Sequence, residues 1–174
     1  DPQRRLVIYD QGGSWFATRV FFQLQYHGFP TERLAILDGG LAKWQADGRP
    51  VTKDATPAPR AGTFRIAAVN EQLRTGMAEL VAASGDRANN VLLDALGPEY
   101  HYGAAAFFDK AGHIPHAISM PAEDFYNADK TWKSPEEIRR MLGYLGIRPE
   151  QQVLAHCGGG IAASVPFFAA KFML

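Results

Sequence analysis

The sequence is short of cysteine, of net charge and of long hydrophobic runs, and each shortage excludes a class of protein. One cysteine in 174 residues excludes a disulfide framework and a zinc site built on paired cysteines. Eighteen basic residues balance eighteen acidic ones, which argues against nucleic-acid or membrane-surface partners. The longest apolar stretch near the end, Ile161 to Ala170, is too short to cross a bilayer. A soluble globular protein is therefore expected, and because Asp1 to Arg5 do not resemble an export signal, so is a cytoplasmic location.

Short β-rich runs alternate with helical patterns along the chain. Strands are predicted over residues 6–9, 34–37, 91–93 and 152–156, and helices over 16–26, around Leu41 and Trp44, and over 135–145, with a last helix around Phe167. Ser134, Pro135 and Glu137 form the start signal of the clearest helix, and Gly146 ends it. Strand and helix in this order predict an α/β fold with a parallel sheet covered on both faces.

The middle of the chain has weaker signals. An edge strand is expected over Thr63 to Ala67, followed by a helix that Asn70 caps and Gly85 closes. Leu73, Met77 and Leu80 would share one face of that helix. A long polar and aromatic loop is expected from Ala95 to Asp129.

An internal repeat relates the two ends of the chain. With Asp10 placed on Cys157, the repeat also aligns Gly12-Gly13 with Gly159-Gly160, Thr18 with Ser164, and Phe21-Phe22 with Phe167-Phe168. In this alignment the sequence contains the back half of one α/β unit and the front three-quarters of a second. Both repeats therefore look incomplete, with residues 57–62 as the linker between 1–56 and 63–174.

Cys157 is the residue best placed to carry chemistry. It follows a predicted parallel strand and precedes Gly158 to Gly160 and a helix, which is where ligands bind in open α/β sheets. The glycines allow successive amides to face one atom, and these amides with the helix N-terminus favour a thiolate. The alternative is a buried cysteine that acts as a small hydrophobe.

His156 to Ala163 resembles the active-site loop of the rhodanese-like sulfurtransferases. Three further segments fit the same family in the order of a tandem two-domain member: Ile36 to Gly40 with Trp44, Leu92 to Asp94 with Glu99-Tyr100, and Gly112 to Pro115. The resemblance implies a three-layer α/β/α fold, with 1–56 the C-terminal half of an inactive domain that has Asp10 in place of the cysteine. It also implies that 63–174 is a catalytic domain lacking its last strand and helix.

The resemblance implies an activity as well. Cys157 would take a sulfane sulfur from thiosulfate or 3-mercaptopyruvate as a persulfide, and pass it to a thiophilic acceptor such as cyanide or a thiol. No metal or organic cofactor is needed. The residues expected to bind substrate are Gly158, Gly159, Gly160, Ile161, Ala162, Ala163 and His101. Members of the family carry arginines where this chain has Leu96, Tyr100 and His101, so an anionic donor would meet backbone amides and either His101 or Lys110.

The same residues bear on several other functions. A cysteine-based phosphatase is disfavoured, because no basic residue lies between Cys157 and Lys171 to clamp an oxyanion. A degenerate binding or regulatory module without turnover remains open. His113 and His116 do not suggest a metal site, since no third ligand is evident. The remaining candidate residues are expected to be structural. A satisfied histidine is favoured over a general base for His156, Asp38 and Asp94 are expected to cap turns, and core positions are expected for Trp44, Phe167, Phe168 and Phe172.

Overall fold

The computed structural model describes residues 4–13, 15–58, 61–66 and 68–174. The strands are β1 (Leu6–Ile8), β2 (Leu34–Ile36), β3 (Asn90–Asp94), β4 (Ile118–Ser119) and β5 (Gln152–His156). The α-helices are α1 (Trp15–Tyr26), α2 (Gly40–Ala46), α3 (Met77–Gly85), α4 (Pro98–His101), α5 (Pro135–Tyr144) and α6 (Ser164–Phe168), and α6 continues into a π-helical turn over Ala169–Met173. None of the described helices is both long and apolar enough to span a membrane.

The strands form two parallel sheets. In the first, β1 pairs with β2, and Leu6 lies opposite Leu34. In the second, the order is β4-β3-β5, and the β3–β5 ladder runs from Asn90 opposite Gln152 to Asp94 opposite His156. Parallel strands joined through helices confirm the predicted α/β class. They also bring the carboxyl ends of β3 and β5 to one edge of the sheet, where Asp94 and Cys157 lie.

The larger core packs between the second sheet and its helices. Leu93, Phe125, Ile138 and Val165 are almost completely buried there. The predicted capping box holds α5 in place: the Ser134 hydroxyl accepts from the Glu137 amide at 3.2 Å, and the Glu137 carboxylate accepts from the Ser134 amide at 2.9 Å. Because these start signals are local, this helix was predictable from a few consecutive residues.

Helices α1 and α6 contain positions that the internal repeat aligns with each other, and the two helices pack together. The rings of Phe21 and Phe168 have centroids 5.1 Å apart, and those of Phe22 and Phe167 are 5.2 Å apart. Both pairs meet edge to face, the geometry that ring quadrupoles favour. The contacts are crossed relative to the sequence alignment: Phe21, aligned with Phe167, contacts Phe168, and Phe22, aligned with Phe168, contacts Phe167. The division into 1–56, a linker and 63–174 stays a prediction, as does the missing last strand and helix.

Three local predictions are wrong. The helix expected from Asn70 is a 3-10 turn over Glu71–Leu73, and α3 begins separately at Met77 after the extended residue Gly76. Met77 is 78% exposed and lies on no common buried face with Leu73. Residues 63–66 form no strand, and Ala67, the end of that prediction, lies outside the described residues. The segment 95–129 is not all loop, because it contains α4, β4 and a 3-10 turn too short to show periodicity.

Two burial predictions also differ from the structure. The sequence predicts a sheet covered on both faces, yet Val7 of β1 is 57% exposed, and β1 pairs within the described chain with β2 alone. Trp44 is half-buried outside the core clusters of the described residues. Its indole N–H donates to the Pro50 carbonyl at 2.9 Å, and Arg49 lies over its ring. Trp44 therefore holds the segment that follows α2 against this helix through its contacts with Arg49 and Pro50.

Candidate active site

Cys157 lies at the carboxyl end of β5, at the start of the loop that leads into α6. Its side chain is partly exposed, and Sγ accepts a hydrogen bond from the Gly160 amide at 3.1 Å. Gly160 has φ +77°, a left-handed conformation that glycine adopts without steric cost. This conformation turns the chain back on itself, so that a main-chain N–H reaches the sulfur. Cys157 therefore packs against the larger core as a partly buried residue, and its sulfur has a polar contact with the main chain.

The other predicted substrate-binding residues of the loop differ in exposure. Gly159 is exposed, Gly158 and Ile161 are half-buried, and Ala162 and Ala163 are buried. The carbonyls of Ile161, Ala162 and Ala163 accept hydrogen bonds from amides of α6. The donors are, in the same order, Ser164, Val165 and Phe167. These bonds fix the helical end of the loop, while Gly158 and Gly159 form its outer part. Substrate binding by these residues stays a prediction.

An aromatic flank, formed by Tyr100, Phe107 and Phe108, meets the loop at Phe107. A Cβ built on Gly158 would lie 2.1 Å from Cε1 of Phe107, so the Phe107 ring rests directly on the glycine backbone. Phe107 is nonetheless 51% exposed, and its centroid lies 5.6 Å from that of Tyr100 and 5.0 Å from that of Phe108. Sequence reasoning did not place these rings at Cys157. The aromatic content of the 95–129 segment was the available signal.

Asp94 ends β3 as a buried carboxylate, 1% exposed. One oxygen accepts from the Leu96 amide at 3.1 Å, which is the predicted turn cap, and the other lies 3.0 Å from Nδ1 of His101. The His101 ring stacks on that of His113 with centroids 3.8 Å apart. His113 Nδ1 donates to the His101 carbonyl at 2.8 Å, since a carbonyl can only accept. Because Asp94 contacts Nδ1 of His101, only Nε2 of that ring would be left to bind a sulfur donor. Binding of the sulfur donor by His101 stays a prediction.

His156 precedes the nucleophile and faces Asp94 from the neighbouring strand. Its Nδ1 lies 3.9 Å from the carboxylate, beyond hydrogen-bond distance, and its buried Nε2 has no partner in the described part of the chain. The prediction of a satisfied histidine is therefore wrong. Burial lowers the pKa of His156, and the Asp94 carboxylate only partly opposes this. The ring is consequently held neutral at pH values where a free histidine would begin to take up a proton.

A cation reaches the loop from the other repeat. Arg19 of α1 donates from Nη1 to the Gly160 carbonyl at 3.3 Å, and its guanidinium lies 5.4 Å from the centre of the Phe22 ring. Sequence reasoning found no basic residue in the loop itself and missed this one, because it lies far away in the chain. Within the described residues, no group of three or more His, Cys, Asp or Glu side chains is arranged to hold a metal ion.

Asp10, the residue aligned with Cys157, has a similar main-chain setting in the first repeat. Its carboxylate accepts from the amides of Gly12 at 3.0 Å and of Phe16 and Ala17, each at 3.1 Å. An acceptor side chain at a strand end, bound by amides of the following turn, therefore occurs in both repeats. Only Cys157 offers a nucleophile, because an aspartate held by three amides is a fixed anion.

Comparison with known proteins finds relatives across nearly the whole chain. A candidate thiosulfate sulfurtransferase of Saccharopolyspora erythraea is 30% identical over 177 residues, which cover 97% of this chain and 61% of that protein. The sulfur carrier protein TtuD of Thermus thermophilus is 27% identical over 179 residues, covering 97% of this chain and 62% of that protein. The crystal structure of SseA from Escherichia coli, described as a 3-mercaptopyruvate sulfotransferase with the rhodanese fold, has a TM-score of 0.83 and 26% identity, covering 97% of this chain and 62% of that one.

No protein-family model matches the sequence. The chain spans about three fifths of the length of the relatives named above.

Proposed function

Because this chain has the rhodanese fold and is related over 97% of its length to sulfurtransferases, we propose that it transfers a sulfane sulfur through a persulfide on Cys157. The observation that carries the proposal is the hydrogen bond that Sγ of the partly buried Cys157 accepts from the Gly160 amide, at 3.1 Å, at the ligand-facing edge of the sheet. A main-chain donor at this distance stabilises negative charge on sulfur, both on the attacking thiolate and on the persulfide that replaces it.

The reaction has two steps. With thiosulfate, the Cys157 thiolate attacks the outer sulfur, the S–S bond of the donor breaks, and sulfite leaves with the bonding pair. With 3-mercaptopyruvate, the C–S bond breaks, and the carbon takes up the proton that the donor thiol gives up, so that pyruvate leaves. The acceptor, cyanide or a thiolate, then attacks the outer sulfur of the persulfide and restores the Cys157 thiolate.

The partners in this proposal are a small-molecule sulfur donor and a thiophilic acceptor. Gly158 to Ala163 form the loop that follows the reacting sulfur, the Gly160 amide donates to that sulfur, and His101 lies at the same edge of the sheet. Thiosulfate and 3-mercaptopyruvate are both compatible with this proposal as the sulfur donor. A reaction without a cofactor, a cytoplasmic location, and the absence of nucleic-acid and membrane partners stay predictions from the sequence.

The proposal is tested by weighing the intact protein after it reacts with thiosulfate and, separately, with 3-mercaptopyruvate. We expect the gain of one sulfur atom with at least one donor, and its loss when cyanide is added. Cys157→Ser is the matched control: it should gain no sulfur and should fold as the parent does, since sulfur and oxygen differ little in size. No adduct with either donor would favour a binding or regulatory module without turnover.

A further inference from the structure

The contact between Arg19 and Gly160 joins the two repeats at the reactive loop. Arg19 belongs to α1, in the repeat that has Asp10 where the other has cysteine. Its Nη1 donates to the Gly160 carbonyl at 3.3 Å, while the Gly160 amide donates to Cys157 Sγ at 3.1 Å. One glycine therefore accepts from the first repeat through its carbonyl and donates to the sulfur through its N–H.

The two bonds are linked through the backbone of Gly160. The N–H belongs to the peptide group before its Cα and the carbonyl to the peptide group after it. The angle between these groups is set by the backbone dihedrals of Gly160, whose φ of +77° would be strained for other residues. A donor that fixes the carbonyl therefore restricts the direction of the N–H.

The guanidinium is itself held in place. It lies 5.4 Å from the centre of the Phe22 ring, and Phe22 packs edge to face on Phe167 at 5.2 Å. A Cβ built on Gly160 would lie 3.0 Å from Nη1, so the guanidinium fills the space against the glycine. Beside it, the Thr18 and Ser164 hydroxyls join α1 to α6 at 2.7 Å. The arginine thus rests on a rigid contact between the helices.

We propose that Arg19 is a positioning residue for the Cys157 loop, which it holds with the Gly160 amide directed at the sulfur. This proposal rests on the proposed sulfur transfer for its catalytic meaning. Through Arg19, the repeat without a nucleophile sets the reactivity of the nucleophile in the other repeat. The loop carries no cation of its own, and the first repeat provides a guanidinium beside it.

The test measures the reactivity of the sulfur directly. Cys157 is the single cysteine, so alkylation by iodoacetamide reports on it alone. In Arg19→Met, which keeps much of the length and apolar stem of the side chain, we expect the alkylation rate at a fixed neutral pH to fall about threefold, and the rate of persulfide formation to fall about three- to tenfold. Arg19→Lys should restore part of both, and the donor concentration for half-maximal rate should change little.

Arg65→Met is the matched control, because Arg65 also donates to a main-chain carbonyl, that of Phe64 at 3.0 Å, but is exposed. Its alkylation rate should match that of the parent. An unchanged alkylation rate in folded Arg19→Met would overturn the proposal. If that variant does not fold, Arg19→Lys decides: an alkylation rate equal to the parent's contradicts the proposal, because an ammonium cannot reproduce the guanidinium contact. If the parent gains no sulfur from any donor, the proposed function fails, while the alkylation rate still tests the role of Arg19.

Discussion

The hydroxyl oxygens of Thr18 and Ser164 lie 2.7 Å apart in the buried contact between α1 and α6. Thr18 Oγ1 also lies 2.9 Å from the Trp15 carbonyl, and Ser164 Oγ lies 2.6 Å from the Ile161 carbonyl. Two hydroxyl protons serve these three contacts, so one hydroxyl donates across the contact while the other donates to a carbonyl of its own repeat. Because the internal repeat aligns Thr18 with Ser164, the two repeats meet here through equivalent residues.

Removing either hydroxyl should weaken the contact between the repeats. We expect Ser164→Ala and Thr18→Val each to lower the free energy of unfolding by about 1–2 kcal/mol, because the hydroxyl that remains is buried with one partner fewer. The double variant should lose less than the sum of the two, which urea unfolding measures. Ser84→Ala is the control, since the hydroxyl of the half-buried Ser84 bonds, among the hydrogen bonds described, to the Val81 carbonyl within α3 alone. Strict additivity would show that the two hydroxyls do not interact.

The aromatic flank gives a prediction with a control in the neighbouring residue. Gly158→Ala should push the Phe107 ring away from the loop, because the new Cβ would lie 2.1 Å from it, whereas a Cβ on Gly159 has nothing within 4 Å. Phe107 is half-exposed and can swing out, so we expect a stability change below about 1 kcal/mol. The rate of Cys157 alkylation should change in Gly158→Ala and not in Gly159→Ala.

Phe107→Ala distinguishes an effect of the ring on the alkylation rate from an effect of a changed loop backbone. If the ring controls access to the sulfur, Phe107→Ala should change the alkylation rate in the same direction as Gly158→Ala. Equal rates in the parent and all three variants would mean that the aromatic flank does not shield Cys157.

Asp10 is expected to stabilise the first repeat instead of reacting. Its carboxylate accepts from three amides at the start of α1, so Asp10→Ala should cost about 1–2 kcal/mol of unfolding free energy. Asp10→Asn should cost less, since one oxygen remains as an acceptor. Asp54→Ala serves as the control, because Asp54 is exposed and accepts from Thr52 alone among the hydrogen bonds described. Differential scanning calorimetry of the three variants measures the order; an Asp10→Ala variant as stable as the control would contradict it.

His156 predicts how stability depends on pH. Burial lowers its pKa below the ordinary value of 6.5, so the unfolded chain takes up a proton at this site before the folded one does. The stability that the neutral ring contributes is therefore complete above about pH 6.5 and is lost as the pH falls through the folded pKa. In urea unfolding between about pH 7.5 and pH 5, the midpoint of the parent should fall more than that of His156→Gln. Parallel curves would show that His156 titrates alike in both states.

The local elements followed from the sequence where a few adjacent residues decide them. Ser134, Pro135 and Glu137 fixed the start of α5, because a capping box is a contact within one helical turn. The helix expected from Asn70 failed for the opposite reason. Apolar spacing there fitted a helix, but the extended backbone at Arg74 and Gly76 separates a 3-10 turn from α3.

The sequence by itself determined the α/β class, the parallel strands and the position of Cys157 at a strand end before a glycine loop, since these depend on periodicity and on short-range turn residues. Only the tertiary structure decided what surrounds the cysteine loop: Arg19 contacts Gly160, and Phe107 rests on Gly158. These contacts join side chains to residues on other elements, and the closeness of two distant segments leaves no periodic trace in either. The candidate nucleophile could therefore be identified from one residue and its neighbours in the sequence, while the contacts around its loop depend on how the two repeats pack.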